Sequence, residues 1–435
     1  MSNADPIVLV PGFMGSTLSR VRDNQEIWIE PLWALTNLGS FSRDLALRDP
    51  DDPKLYASGV LHDVDIGDIV RIGVYRKLWQ FALSPGGLGL SPGDYHEFAY
   101  DWRKSAATAA AELDAVLLGL GDPGSKVTVI AHSQAALVVA MLFHLGGPGS
   151  RRVGKVVAVG CPFAGLLKTL KMINEGTGVL SDLLPTDPIR ELLGAMPGAY
   201  ELMPSRQVPT LFTDANGSAS TPFACATSLP SGRFDRALLQ AAAGVVTPMS
   251  LDFPVPLRLI EGYGITTAVS ATLQGGFAVK DGQEGDGTCP ALSLLAAQGQ
   301  SVDASPPRIV FSVPFGEHVA LVSNDDVLTF LKEDLLGLPR PAVRVAADVR
   351  RRLTVPGTEN LLIVETRDGL GGALGTGAPQ ATLSGHGPLP LAPCPIAGQA
   401  RWLSSFPHPL SLATIEVRVP GVPDGQQPKR IVLEG

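Results

Sequence analysis

A β-branched run, Lys126-Val127-Thr128-Val129-Ile130, leads without a break into Ala131-His132-Ser133-Gln134-Ala135, and an Ala/Leu-rich segment follows as far as Leu145. Strand, tight turn, helix is a demanding succession of shapes. A serine at such a turn sits on strained backbone, and the residues two positions to either side must be small for strand and helix to close on each other. Ala131 and Ala135 meet that demand, although Gly is the commoner residue at both places. The next β-branched run, Lys155 to Val159, completes a strand-helix-strand unit, which implies a parallel sheet.

Further strands are expected at Ile7 to Val10, closed by Pro11-Gly12, at Phe98-Ala99-Tyr100, at Leu257 to Ile260 and at Arg308 to Val313. The last helix of the series has a capping-box pair, Ser323 with Asp326, and is closed by Gly337 and Pro339. Two stretches interrupt the alternation. Arg20 to Asp94 carries Trp28, Trp33 and Trp79 among many turn residues, and Leu166 to Leu251 mixes short helical pieces with Gly and Pro. Insertions of this kind cover a site or shape its cleft. After Pro341 helical periodicity gives way to short β-rich runs, Leu361 to Thr366, Leu412 to Val419 and Lys429 to Leu433, as in a small all-β sandwich.

A serine hydroxyl needs an adjacent base to become a nucleophile, and the base needs an acid to orient it. On this strand-turn-helix scaffold the chain order is Ser, then Asp or Glu, then His. Three histidines follow the elbow's helix: His318, His386 and His408. The last two lie in the β-rich tail beside Gly or Pro. His318, in Phe315-Gly316-Glu317-His318, directly follows a strand, where a sheet presents its catalytic loops, and is the natural base. Asp286, in Gly285-Asp286-Gly287-Thr288, is the preferred acid, with Asp281 and Glu284 as neighbours that compete for the role. The oxyanion hole needs two backbone N–H groups. Gln134, after the nucleophile, supplies one, and Phe13, in Val10-Pro11-Gly12-Phe13-Met14-Gly15, the other. His132 and His144 are read as structural, and Cys161 and Cys289 as small buried residues near the site.

Composition narrows the function by exclusion. The chain has 435 residues, 45% hydrophobic and 17% charged, enough for a large core and a second smaller unit. A net charge of -8 without a basic tract argues against nucleic-acid binding. The four cysteines are scattered and show no metal-ligand spacing, so neither a metal site nor a cofactor is expected, and a reducing compartment fits them best. No apolar run is long enough to cross a bilayer. The expected location is cytoplasmic. Met1-Ser2-Asn3-Ala4 reads as a tag remnant, which leaves a trimmed natural leader open.

Taken in order, these segments resemble the lecithin:cholesterol acyltransferase family of α/β-hydrolases, which includes enzymes of the lysosomal phospholipase A2 type. The resemblance runs over roughly residues 6 to 336: Val10-Pro11-Gly12, Ile27-Trp28, Tyr100-Asp101-Trp102-Arg103, the Ala131-His132-Ser133 elbow, Cys161-Pro162-Phe163-Ala164-Gly165, Pro197 to Pro204, Tyr263-Gly264, the Gly285-Asp286-Gly287-Thr288 turn and His318. It implies an α/β-hydrolase domain over 5–338, in which the insertions at about 20–94 and 166–251 serve as cap or lid; the C-terminal all-β, sandwich-like domain over 341–435 is read from its β-rich runs alone. It also implies a triad of Ser133, Asp286 and His318, with Phe13 and Gln134 as oxyanion donors. The implied substrates are lipid acyl esters, cleaved or transferred to an alcohol, with transient contact to a membrane surface. Gln134 stands where the family often has Met, Ala135 where Gly or Asn is common, and Phe13 where a polar or small residue is common. The early cysteine pair of secreted animal members is missing, and the β-rich tail lies outside the resemblance. Two other readings remain open on sequence: a carboxylesterase for soluble esters, and a hydrolase scaffold kept for binding.

Overall fold

The computed structural model describes residues 5–28, 45, 47, 54–66, 70–122, 124–176, 186–298, 308–339, 343–353, 358–368, 377–393, 401–407, 413–423, 427–428 and 430–433. Its centre is a parallel sheet of six strands in the order Arg308–Pro314, Leu257–Tyr263, Val153–Val159, Val127–His132, Ile7–Val10 and Tyr95–Glu97. The inner strands Ile7–Val10, Val127–His132 and Val153–Val159 are rich in buried apolar residues because helices cover both faces of a parallel sheet, whereas the edge strand Tyr95–Glu97 is not. Successive side chains point to opposite faces. Val8, Val10, Val129, Ala131, Val156 and Ala158 enter one hydrophobic cluster, whereas Ile7, Leu9, Ile130, Val157 and Val159 enter the other.

The helix Ala135–Leu145 is buried all round from Ala135 to Leu142, which explains its lack of a polar face. It ends at Gly146, whose φ of +64° is the left-handed cap that glycine adopts without steric cost. Helix Ala106–Leu118 starts at Ser105, whose hydroxyl accepts from the Ala107 N–H.

Two local expectations are corrected. The edge strand is Tyr95–Glu97, not Phe98–Tyr100. Phe98 still donates its N–H to Leu9 O at 2.9 Å, but the Tyr100 N–H turns to the Ser16 hydroxyl at 3.1 Å, which takes the chain out of the ladder. The last helix, Asp325–Leu335, is capped by Asn324, whose side chain accepts from the Asp326 and Val327 N–H groups. Ser323 is unavailable as a cap because its hydroxyl donates to Val74 O. Trp33, Pro341, Cys394, His408, Leu412 and Lys429 lie outside the described residues.

The stretch from Arg20 to Asp94 includes strands Glu26–Trp28, Leu55–Val60, Asp63–Ile66 and Val70–Gly73 and helix Arg76–Leu83. That from Leu166 to Leu251 includes helices Leu167–Glu175, Pro197–Glu201 and Arg236–Val246. In the C-terminal region two antiparallel sheets of four strands face each other. One has the order Val343–Leu353, Thr358–Asp368, Arg401–Pro407, Ala392–Pro393; the other Gly387–Leu389, Gln380–Leu383, Ala413–Arg418, Ile431–Leu433. Leu362, Val364 and Phe406 of the first pack on Ala381, Leu383, Ile415 and Val417 of the second.

Candidate active site

Ser133 stands between the strand ending at His132 and the helix beginning at Ala135, with φ of +54°, a left-handed conformation that costs a non-glycine residue energy. The turn is tight enough that a Cβ on Gly12 would come within 2.7 Å of the Ser133 Cβ, so only glycine lets the two loops approach. Ala131 and Ala135 are both fully buried beneath the turn.

His318 Nε2 lies 2.9 Å from Ser133 Oγ, and His318 Nδ1 lies 2.7 Å from Asp286 Oδ2. A carboxylate only accepts, so Nδ1 carries the hydrogen and Nε2 presents its lone pair to the serine hydroxyl. Asp286 is fixed in turn. Its Oδ1 accepts from the Thr288 and Cys289 N–H groups at 2.9 and 2.6 Å, and its carbonyl accepts from the His318 N–H at 2.9 Å. Sequence therefore pointed at three residues that the fold brings into one chain of hydrogen bonds. The competing acids are elsewhere: Asp281 is exposed on strand Ala278–Gly282 and pairs with Lys171, and Glu284 precedes the turn. His386 is exposed in a hairpin turn.

Phe13 follows Gly12, whose loop packs against the Ser133 turn, and Gln134 follows Ser133; among the described residues neither backbone N–H has an acceptor. The Phe13 ring meets Trp102 edge-on at 5.0 Å and so belongs to a packed aromatic cluster with Trp28. Cys161 and Cys289 are buried free thiols, and burial pushes both up in pKa, which makes them poor nucleophiles. Among the described residues no group of His, Cys, Asp and Glu could hold a metal ion.

Tyr75 escaped the sequence reading, and it works with His132, which was read as structural. The Gly12 N–H donates to Tyr75 Oη at 2.9 Å, and Tyr75 Oη lies 2.7 Å from His132 Nδ1. His132 Nε2 lies 3.1 Å from the His318 carbonyl, which only accepts, so His132 donates there and takes the Tyr75 hydrogen at Nδ1. Burial, helped by His318, holds the His132 imidazole at about 3, neutral as this network requires. Tyr75, 57 residues from His132 in sequence, carries no local motif that would have marked it.

No family model matches the chain. Over 385 residues it is 22% identical to the mouse (Mus musculus) lysosomal phospholipase A and acyltransferase, covering 76% of this chain and 90% of that one. The human protein of the same name gives 22% over 384 residues, with 76% and 90% covered. A phospholipase A(1) of Arabidopsis thaliana, LCAT3, is 25% identical over 199 residues, 38% of this chain and 43% of that one. Among solved structures, the crystal structure of the Tle4–Tli4 complex superposes with a TM-score of 0.55 at 15% identity, covering 77% of this chain and 99% of its counterpart. The chain is a distant relative of the lecithin:cholesterol acyltransferase family, with an α/β-hydrolase fold.

The segments that carry the family resemblance have visible work in the structure. Tyr100 Oη is within hydrogen-bond distance of Pro11 O and Gln134 Oε1, at 2.9 and 3.1 Å, which joins the loop of Phe13 to the residue after Ser133. Arg103 forks onto Asp101 at 2.8 and 2.7 Å and reaches Leu45 O. Within the Pro197 to Pro204 segment, Glu201 accepts the Ala106 N–H at 2.7 Å, at the start of helix Ala106–Leu118. Burial pushes the Glu201 carboxyl up from its ordinary 4.5 to about 7, against the opposing pull of Ser105 and Ala106. A folded pKa above the unfolded one means that this group's contribution to stability is complete below 4.5 and is lost as pH rises through 7. Glu201→Gln is therefore expected to match the parent at about pH 4 and to exceed it at about pH 8, by up to about 3 kcal/mol. Denaturant midpoints at the two pH values check this; an equal difference at both would refute it.

Proposed function

We propose that the chain cleaves or transfers acyl esters of lipids through an acyl-enzyme on Ser133. The observation that carries the reading is the continuous chain Ser133 Oγ, His318, Asp286, with contacts of 2.9 and 2.7 Å. As Ser133 Oγ bonds to the ester carbonyl carbon, His318 Nε2 takes its proton and Asp286 holds the imidazole in the required tautomer. The Phe13 and Gln134 N–H groups stabilise the negative oxygen of the tetrahedral state. His318 returns the proton to the leaving alcohol as the ester C–O bond breaks. Water or an acceptor alcohol then attacks the acyl-serine carbonyl, giving its proton to His318; as the acyl C–Oγ bond breaks, His318 returns that proton to Ser133 Oγ, releasing the acid or the new ester. The names of the mammalian and plant relatives, phospholipases and an acyltransferase, support a lipid ester as substrate. A phospholipid would be met at a membrane surface, by transient contact.

Treatment with a fluorophosphonate serine probe, followed by peptide mapping, tests the chemistry. An adduct on the peptide that contains Ser133 is expected; no adduct, or one elsewhere, overturns the assignment. Hydrolysis of phosphatidylcholine then tests the substrate class. Activity rising as lipid passes from monomers to vesicles is expected, whereas equal turnover of short soluble esters, without that rise, would make the protein a soluble-ester carboxylesterase.

A further inference from the structure

Strand Thr358–Asp368 is buried from Asn360 to Arg367, on both of its faces. Leu362 and Val364 point into the sandwich. Leu361 and Ile363 point the other way and pack with Tyr263, Ala291 and Phe315 of the hydrolase unit. The outer face of a sandwich strand is ordinarily polar and wet. Here it continues with Glu365 and Arg367, yet both are buried, because they join Glu261 and Arg401 in one ion cluster.

We propose that this outward face is a positioning element of the active site, holding the two loops that carry Asp286 and His318. The proposal rests on reading those residues with Ser133 as the triad. Phe315 lies three residues before His318 at φ of +53°, a conformation that persists only where the surroundings impose it. Its ring packs in the Ile363 cluster, and its N–H is bonded to Tyr263 O. On the acid side, a Cβ at Gly264 would come within 2.5 Å of Ile363 Cδ1, so this backbone rests directly on the sandwich. Gly264 N–H donates to Gln283 O at 2.9 Å and Ile265 N–H to Gly285 O at 3.0 Å, which fixes the approach to Asp286. Ala291, two residues after the Cys289 whose N–H binds the Asp286 carboxylate, closes the same cluster.

The alternation within one strand supplies the test. Ile363→Ala removes volume facing the loops, and Val364→Ala removes volume facing the sandwich core. Both are made in the full chain and assayed well below their melting temperatures. Ile363→Ala is expected to lower kcat on an ester about tenfold, through displacement of the acid and base, with KM within about twofold of the parent. Hydrogen exchange should rise in residues 283–291 and 312–318. Val364→Ala should lower Tm and leave kcat and exchange of those two segments unchanged. If Ile363→Ala fails to fold, Ile363→Val gives the same pattern at smaller size. Parental kcat and loop exchange in the Ile363 variants, or losses in both series that simply follow Tm, would overturn the proposal. Exchange is read without turnover. A parent that takes no fluorophosphonate while the loops still respond only to Ile363 changes would overturn the triad reading and leave the buttress standing.

Discussion

Ser133→Ala is expected to lower kcat on any ester substrate by about 10⁶-fold and to abolish fluorophosphonate labelling. Base and acid act through this oxygen, so their 2.9 and 2.7 Å contacts have no productive role once it is gone. What survives is the residual effect of the oxyanion donors and substrate binding, about 10³–10⁴ over water. Folding should be nearly unaffected, because Ala occupies the same turn with the same φ of +54°. Ser133→Gly should be equally inactive and more stable than Ser133→Ala by about 1 kcal/mol, since glycine adopts that φ without strain. Single-turnover assays with thermal melts check both points. A Ser133→Ala protein keeping more than about one-hundredth of parental kcat would remove Ser133 from the mechanism.

Arg401→Met is expected to destabilise the protein by about 3–5 kcal/mol. Arg401 is fully buried, reaches Glu261 at 2.6 Å and Glu365 at 2.9 Å, and lies 3.7 Å over the Tyr263 ring. Among the described residues two carboxylates and two guanidiniums meet here, and losing Arg401 removes one of the two cations that face Glu261 and Glu365. Burial disfavours the charge on Glu365, but Arg367 and Arg401 outweigh it and hold the carboxyl below its ordinary range. A lowered folded pKa contributes stability above the unfolded value and loses it as pH falls through the folded one. Part of that contribution goes with Arg401, so the gap between variant and parent should narrow towards acid pH. Removing a negative partner as well, in Arg401→Met with Glu261→Leu, should restore much of the loss. Urea unfolding of parent, single and double variants measures all three effects; a single variant within about 1 kcal/mol of the parent would show that the cluster contributes little.

Legibility followed the range of the interaction. The elbow was readable because strand, turn and helix are adjacent in sequence and each has its own pattern: β-branched Val127 to Ile130, small Ala131 and Ala135, apolar Ala135 to Leu145. The Gly285–Thr288 turn showed because two glycines bracket a carboxylate. Errors fell where a local signal met a distant competitor. Ser323 has the composition of a cap, but Val74 O, 249 residues away, takes its hydroxyl hydrogen. Phe98 to Tyr100 has the composition of a strand, but Ser16 takes the Tyr100 N–H.

By itself, the sequence determined the alternating parallel core, the strained serine turn and the order of acid and base, because periodicity and turn chemistry act over a few residues. Only the tertiary structure decided which carboxylate meets His318, that Tyr75 and His132 bind the Gly12 loop to the His318 backbone, and that the charged face of Glu365 and Arg367 is buried against Glu261. Each of these depends on groups from separate strands or loops reaching hydrogen-bond distance, and that distance is set by packing, which no local pattern encodes.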